Sequence, residues 1–237
     1  IGGDVVGKCT GGDVRLSGVP LDVLEAKGDW RFAGGKLSIA NADFRLEDRW
    51  ADKRFQPLVS SGADLQLANN IITAHATMRE PLSQREITRA NIRHNLGNGT
   101  GHADLAIDGI VFDRALQPDT ITRLALGVVA NASGTVRGTG RIDWNMEVTT
   151  STGSFTSDAF DFAAAFGPVE GLSGTVHFTD MLNLVTAPDQ RLRIASINPG
   201  IEVNDGEVSM ELRPGNVLAV NGAHWPFLDG TLTLKPT

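Results

Sequence analysis

Residues 140–148 read GRIDWNMEV, and every second position from Ile142 is apolar: Ile142, Trp144, Met146 and Val148. The positions between them, Arg141, Asp143, Asn145 and Glu147, are polar. A period of two marks a strand with one dry face and one wet face. The same alternation recurs along most of the chain. Trp30 and Phe32 end a strand before Gly34-Gly35, and Leu37, Ile39, Phe44 and Leu46 flank an expected turn at Asn41. Leu65 and Leu67 face Ile72, Ala74, Ala76 and Met78 across a hairpin predicted at Asn69-Asn70, because Asn tolerates the left-handed backbone of such turns. Ala103, Leu105 and Ile107 alternate with His102, Asp104 and Asp108.

After residue 130 the pattern resumes. Phe160, Phe162, Ala164 and Phe166 share one parity, as do Val176 and Phe178, and Leu192 and Ile194. Asn204-Asp205-Gly206 predicts a hairpin turn, followed by Val208, Met210 and Leu212 on one face. Leu232 and Leu234 are expected inside the last strand, with Thr231, Thr233 and Lys235 outside. One segment departs from this period: Leu116, Ile121, Leu124, Ala125 and Val128 lie three and four apart, with Pro118 and Asp119 suited to a first helical turn. A helix is therefore expected over 118–129.

The sum is a mainly β chain, read as one elongated region with N-terminal strands over 1–115, a helical segment over 116–131 and C-terminal strands over 132–237. Successive strands joined by short turns imply an antiparallel meander. A sheet of that many strands must twist, and it must close, split into two layers or curl as an open barrel or trough. Two outcomes stay open at this point: the apolar faces cover one another, or they line a groove that receives something else.

Composition narrows the function. The chain has 237 residues, of which 41% are hydrophobic and 21% charged, so it folds around a core. Its net charge of −7 opposes nucleic-acid binding, where a basic face supplies the affinity. Cys9 is the single cysteine, so no internal disulfide forms. No apolar run reaches the ~18 residues of a membrane-spanning helix. The chain opens IGGDVV without Met, which suggests a piece of something longer.

No catalytic constellation is visible. His75, His94, His102, His177 and His224 form no metal-ligand spacing. GNGTG at 97–101 lacks the Lys and the helix of a phosphate loop. Asp104, Asp108, Asp113, Asp158 and Asp161 read as a wet strand face rather than as an acid pair. No enzyme activity, cofactor or metal is expected.

Several stretches are more specific: GPVEGLSGTVHFTD, APDQ, INPGIEVNDG and WPFLDGTL. They resemble the C-terminal region of the YdbH family, in the AsmA-like group with TamB and YhdP. The likeness extends over about residues 116–237 and more weakly into HNLGNGTGHADLAIDGIVFDRALQP. The resemblance implies a periplasmic part of an envelope protein of Gram-negative bacteria, anchored in the inner membrane by a segment outside this chain. It also implies a curled, open β body with an apolar interior, and phospholipid as the cargo carried between inner and outer membranes.

On that expectation Ile142, Trp144, Met146, Val148, Phe160, Phe162, Phe166, Val176, Phe178, Val208, Met210, Leu212, Leu232 and Leu234 line a lipid groove. The competing expectations are a structural or assembly module of the envelope, with a self-packed core and protein partners, and an enzyme or solute-binding protein for acidic or carbohydrate ligands.

Overall fold

The computed structural model describes residues 3–15, 20–122, 125 and 129–236. Sixteen strands follow one another: β1 (Val5–Cys9), β2 (Val14–Arg15), β3 (Leu21–Ala33), β4 (Lys36–Asp48), β5 (Leu58–Ala68), β6 (Ile71–Arg79), β7 (Glu86–Asn95), β8 (Thr100–Phe112), β9 (Ala130–Trp144), β10 (Thr149–Ala164), β11 (Gly167–Asp180), β12 (Val185–Thr186), β13 (Gln190–Ile197), β14 (Val203–Arg213), β15 (Val217–Phe227) and β16 (Gly230–Leu234). Their hydrogen-bonded order is β1-β3-β4-β5-β6-β7-β8-β9-β10-β11-β13-β14-β15-β16, with β2 on β3 and β12 on β11. The pairing is antiparallel, and the order has two ends, so the sheet is not a closed barrel. The backbone divides into two compact units, Ile1–Ile107 with Arg141–Thr150, and Asp108–Gly140 with Ser151–Thr237.

In the first unit the turns follow residue chemistry. Gly34-Gly35 and Asn69-Asn70 each make a two-residue hairpin with both central φ angles positive, closing Ala33 on Lys36 and Ala68 on Ile71. Asn41 does not make a turn. It is a bulge within the continuous strand β4, at φ 51°, beside register shifts against both neighbours. Glu25 in β3 and Gly62 in β5 take the same left-handed backbone at matching shifts. A run of bulges across three adjacent strands bends them together and adds twist. Amides at these bulges are taken up by aspartates: Glu25 N donates to Asp13 Oδ1 (2.9 Å) and Gly62 N to Asp43 Oδ1 (3.1 Å).

The second unit repeats the device, with Gly171 at φ 61° donating its N–H to Asp161 Oδ1 (2.7 Å). Asn204-Asp205-Gly206 is likewise no hairpin turn. These residues lie inside β14, Asp205 has φ 55°, and the turn falls at 198–202, since Ile197 pairs Val203. The stripe from Ile142 to Val148 is strand only as far as Trp144. Asn145 Oδ1 accepts from the amides of Glu147 and Val148 and Asn145 N donates to Val148 O, so 145–148 form the β9–β10 turn.

The expected helix over 118–129 is reduced to a 3-10 turn at Pro118–Thr120, with further turn bonds from Thr122 N to Pro118 O and from Val129 N to Ala125 O. Residues 123–124 and 126–128 of that expectation lie outside the described residues. The connection is held from beneath. Leu116 is fully buried, and the Gln117 amide pairs with Ala132 as a strand residue would, accepting from Ala132 N (2.8 Å) and donating to Ala132 O (2.9 Å).

Candidate functional site

Register converts alternation into surfaces. In the first unit Gly7, Trp30, Ile39, Leu65, Ala74, Ile92 and Ala103 oppose one another strand by strand across β1, β3, β4, β5, β6, β7 and β8. A second row two residues along runs Val5, Phe32, Leu37, Leu67, Ile72, His94 and Gly101. Both rows share one face. The opposite face carries Arg31, Ser38, Gln66, Thr73, Arg93 and His102, again as direct cross-strand partners.

The apolar face is covered only in part: Ala103, Ala90 and Met78 on it are buried, whereas several larger side chains keep some contact with water. Ile39 and Leu65 sit mid-sheet yet are only half-buried, as are Trp30, Leu37, Leu67, Ile72 and Ile92, and Phe32 is 48% exposed. In a sheet packed on a second layer, central side chains of this size are excluded from water.

Trp144 extends this face. Its indole lies over Gly101, where a Cβ would approach to 2.6 Å, and its Nε1 donates to His94 Nδ1 at 3.1 Å. The two rings stack at 6.1 Å with 29° between their planes. Trp30 over Gly7 and Trp225 over Gly206 repeat the arrangement, so three of the four tryptophans lie against glycines across the sheet. Absence of a side chain lets the flat ring lie on bare backbone, and the ring shields the glycine in return.

In the second unit the predicted residues fall into two groups. Phe160 and Phe162 (6.1 Å apart), Val176, Phe178, Val208 and Met210 lie in strands and are half-buried, and Phe178 meets Phe155 edge-on at 5.6 Å. Val208 lies in the row Gly174, Leu192, Val208, Ala223 and Leu234 and packs on the buried cluster of Val203, Ala223 and Trp225. Leu212 pairs Leu218, and Leu232 and Leu234 are exposed on the last strand, opposite Trp225 and Ala223. Phe166 of the second unit, like Met146 and Val148 of the first, is not on a strand face. These three occupy turns and are 50%, 84% and 53% exposed, respectively.

In the first unit sequence reasoning placed groove residues only at Ile142, Trp144, Met146 and Val148, although Trp30, Ile39, Leu65 and Ile72 alternate there as clearly as Ile142 and Trp144 do. It also passed over Trp225, Leu192 and Phe155. A search for apolar positions that stay in phase across consecutive predicted hairpins would have found them.

Several polar groups on the strands and loops bond to one another. Arg141 bridges Asp104 (2.7 Å) and Asp143 (2.9 Å), and His75 Nδ1 bonds Asn91 Oδ1 (2.6 Å). Burial would raise the carboxyl pKa of Asp48, but bonds from the Arg54 guanidinium and from the amides of Arg54 and Trp50 outweigh it and hold the group below its ordinary range. The Glu80 carboxyl is held down in the same way against burial, by the Ser83 side chain and the Ser83 and Leu82 amides, and that of Asp180 by Asn183, Ser151 and the Leu182 amide. Among the described residues no group of three or more His, Cys, Asp or Glu is placed to hold a metal ion. No described helix is long and apolar enough to cross a membrane.

No curated protein and no solved structure matches the chain. A protein-family profile does, over residues 10–237, and its description is "YdbH-like: Intermembrane phospholipid transport protein YdbH". That match takes in both units and nearly every strand, so the chain belongs to the YdbH-like family of intermembrane phospholipid transport proteins.

Proposed function

We propose that the apolar sheet faces line a trough that keeps phospholipid acyl chains dry while the headgroup stays in water. On this reading the chain is a periplasmic stretch of the path between inner and outer membranes, and the inner-membrane anchor belongs to another part of the protein. Family membership supports phospholipid as cargo.

The single observation that carries the trough is the incompletely buried row through Trp30, Ile39, Leu65 and Ile92, backed by a polar row on the reverse side. Each methylene left in water costs about 0.8 kcal/mol, so one acyl chain in transit costs on the order of ten kcal/mol. An uncovered apolar face removes that cost wherever the chain lies on it. It does so without directional bonds, which suits a cargo that must move on. Aromatic and thioether side chains such as Phe178 and Met210 add area that adapts to chains in different poses.

Leu65 and Gln66 are neighbours on opposite faces of β5, which gives a direct test. A photo-crosslinking residue at 65 should label with phospholipid when the protein is made in cells, and one at 66 should not. Equal labelling at both positions, or none at 65, contradicts the trough.

A further inference from the structure

Leucine 228 combines two unfavourable features. It is 92% exposed, and its backbone sits at φ 51°, in the left-handed region. It forms with Asp229 the two-residue turn that closes Phe227 on Gly230. At the first position of the other two-residue hairpins that take positive φ there the chain uses Gly34 and Asn69, which adopt this backbone at little cost. A leucine there strains the backbone and places an isobutyl group in water, and nothing within the fold gains from either.

The exposed apolar tip, though not the left-handed backbone, is repeated at the same end of the second unit. Antiparallel register puts the β10–β11, β13–β14 and β15–β16 turns on one side. Each carries an exposed apolar tip: Phe166 at 50%, Ile201 at 67% and Leu228 at 92%. Asn198 N donates to Pro168 O at 3.1 Å, tying the first turn to the second. Neighbouring tips stand two strands apart, about 10 Å. Turn chemistry does not require this, since the β14–β15 turn at the opposite end is Pro214-Gly215-Asn216.

We infer that Phe166, Ile201 and Leu228 are a membrane-contact edge that dips into the surface of a phospholipid layer. Separate apolar tips on small hairpin turns form no concave groove for a helix and no continuous strand edge for pairing. A fluid lipid surface accepts isolated side chains at such spacing. The turns contain Glu202 and Asp229 and no Lys or Arg, so the contact is apolar rather than electrostatic, and neutral lipid is preferred to anionic lipid. The edge is independent of the trough, because it concerns adhesion to a bilayer rather than storage of a lipid.

Vesicle flotation of the purified chain tests it. Binding to phosphatidylcholine–phosphatidylethanolamine vesicles is expected to persist in high salt and to weaken when phosphatidylglycerol is added. Leu228→Asn, which also relieves the backbone, should lower the partition constant about tenfold, and Leu228→Asn with Ile201→Asn about a hundredfold. Thermal stability should be unchanged or raised. Met146→Asn, at an exposed apolar turn of the first unit, should leave binding intact.

Unaltered flotation of Leu228→Asn, or an equal loss from Met146→Asn, overturns the proposal. So does an oligomer in sedimentation that Leu228→Asn dissolves without any vesicle binding, because the tips would then join copies of the chain. Lipid that co-purifies with Leu228→Asn in the absence of vesicles reports on the trough alone, which keeps the two failures distinguishable.

Discussion

The indole of Trp144 lies on Gly101, and a methyl group at that glycine would approach the ring carbons to 2.6 Å and the Arg93 carbonyl oxygen to 2.8 Å. The glycine is therefore a seat for the ring. Gly101→Ala should displace Trp144, break its bond to His94 and destabilise the first unit by about 2 kcal/mol. Urea denaturation measures the loss, and the near-ultraviolet dichroism of the indole should change with it. An unchanged midpoint would mean that the ring has other places to rest.

Asp48 is the buried anchor of the β4–β5 loop, with a fully buried side chain bonded to Arg54 and to two amides. Its folded pKa is depressed, so the stability it supplies is present above the ordinary aspartate value near 4 and is lost as pH falls through the folded value. Asp48→Asn should cost about 2–4 kcal/mol at neutral pH. It should also flatten the decline in stability that the parent protein shows below about pH 4. The comparison is a set of urea midpoints at neutral and acid pH for both proteins.

Open and closed apolar sites should respond differently to truncation. Leu116 is fully buried, so Leu116→Ala should cost about 2–5 kcal/mol. Leu65 is half-buried on the sheet face, so Leu65→Ser should cost only about 1 kcal/mol. A cost at Leu65 as large as that at Leu116 would show that its face is a closed core.

Much of this fold is legible in the sequence because strands and two-residue turns are decided locally. Gly34-Gly35 and Asn69-Asn70 had to be turns of positive φ, and the alternation of Leu37, Ile39, Leu65 and Ile72 fixed their faces. The misreadings share one cause. Asn41 and Asn204-Asp205-Gly206 have the residue types of a turn because a bulge and a turn both need a left-handed residue. Only the register of the neighbouring strand tells them apart. Asn145 ended the Ile142–Val148 stripe through a local side-chain bond that hydrophobic spacing does not report. The three-and-four spacing after Leu116 looked helical, but the described part is a turn held by the Gln117 amide on Ala132, fifteen residues away. For the site, the strand faces of Phe160, Phe178 and Val208 were readable. The pairing of Trp30, Trp144 and Trp225 with a glycine on another strand was not, because it depends on long-range contacts.

The central claim is that the apolar rows shelter acyl chains rather than only one another. Quantifying phospholipid extracted from the purified chain by mass spectrometry tests it most directly, with Ile39→Glu combined with Leu65→Glu as the comparison. The account predicts bound phospholipid with the parent chain, and its loss in the double variant with the fold retained by circular dichroism. A parent chain free of lipid, or a variant that carries as much lipid as the parent, would contradict it.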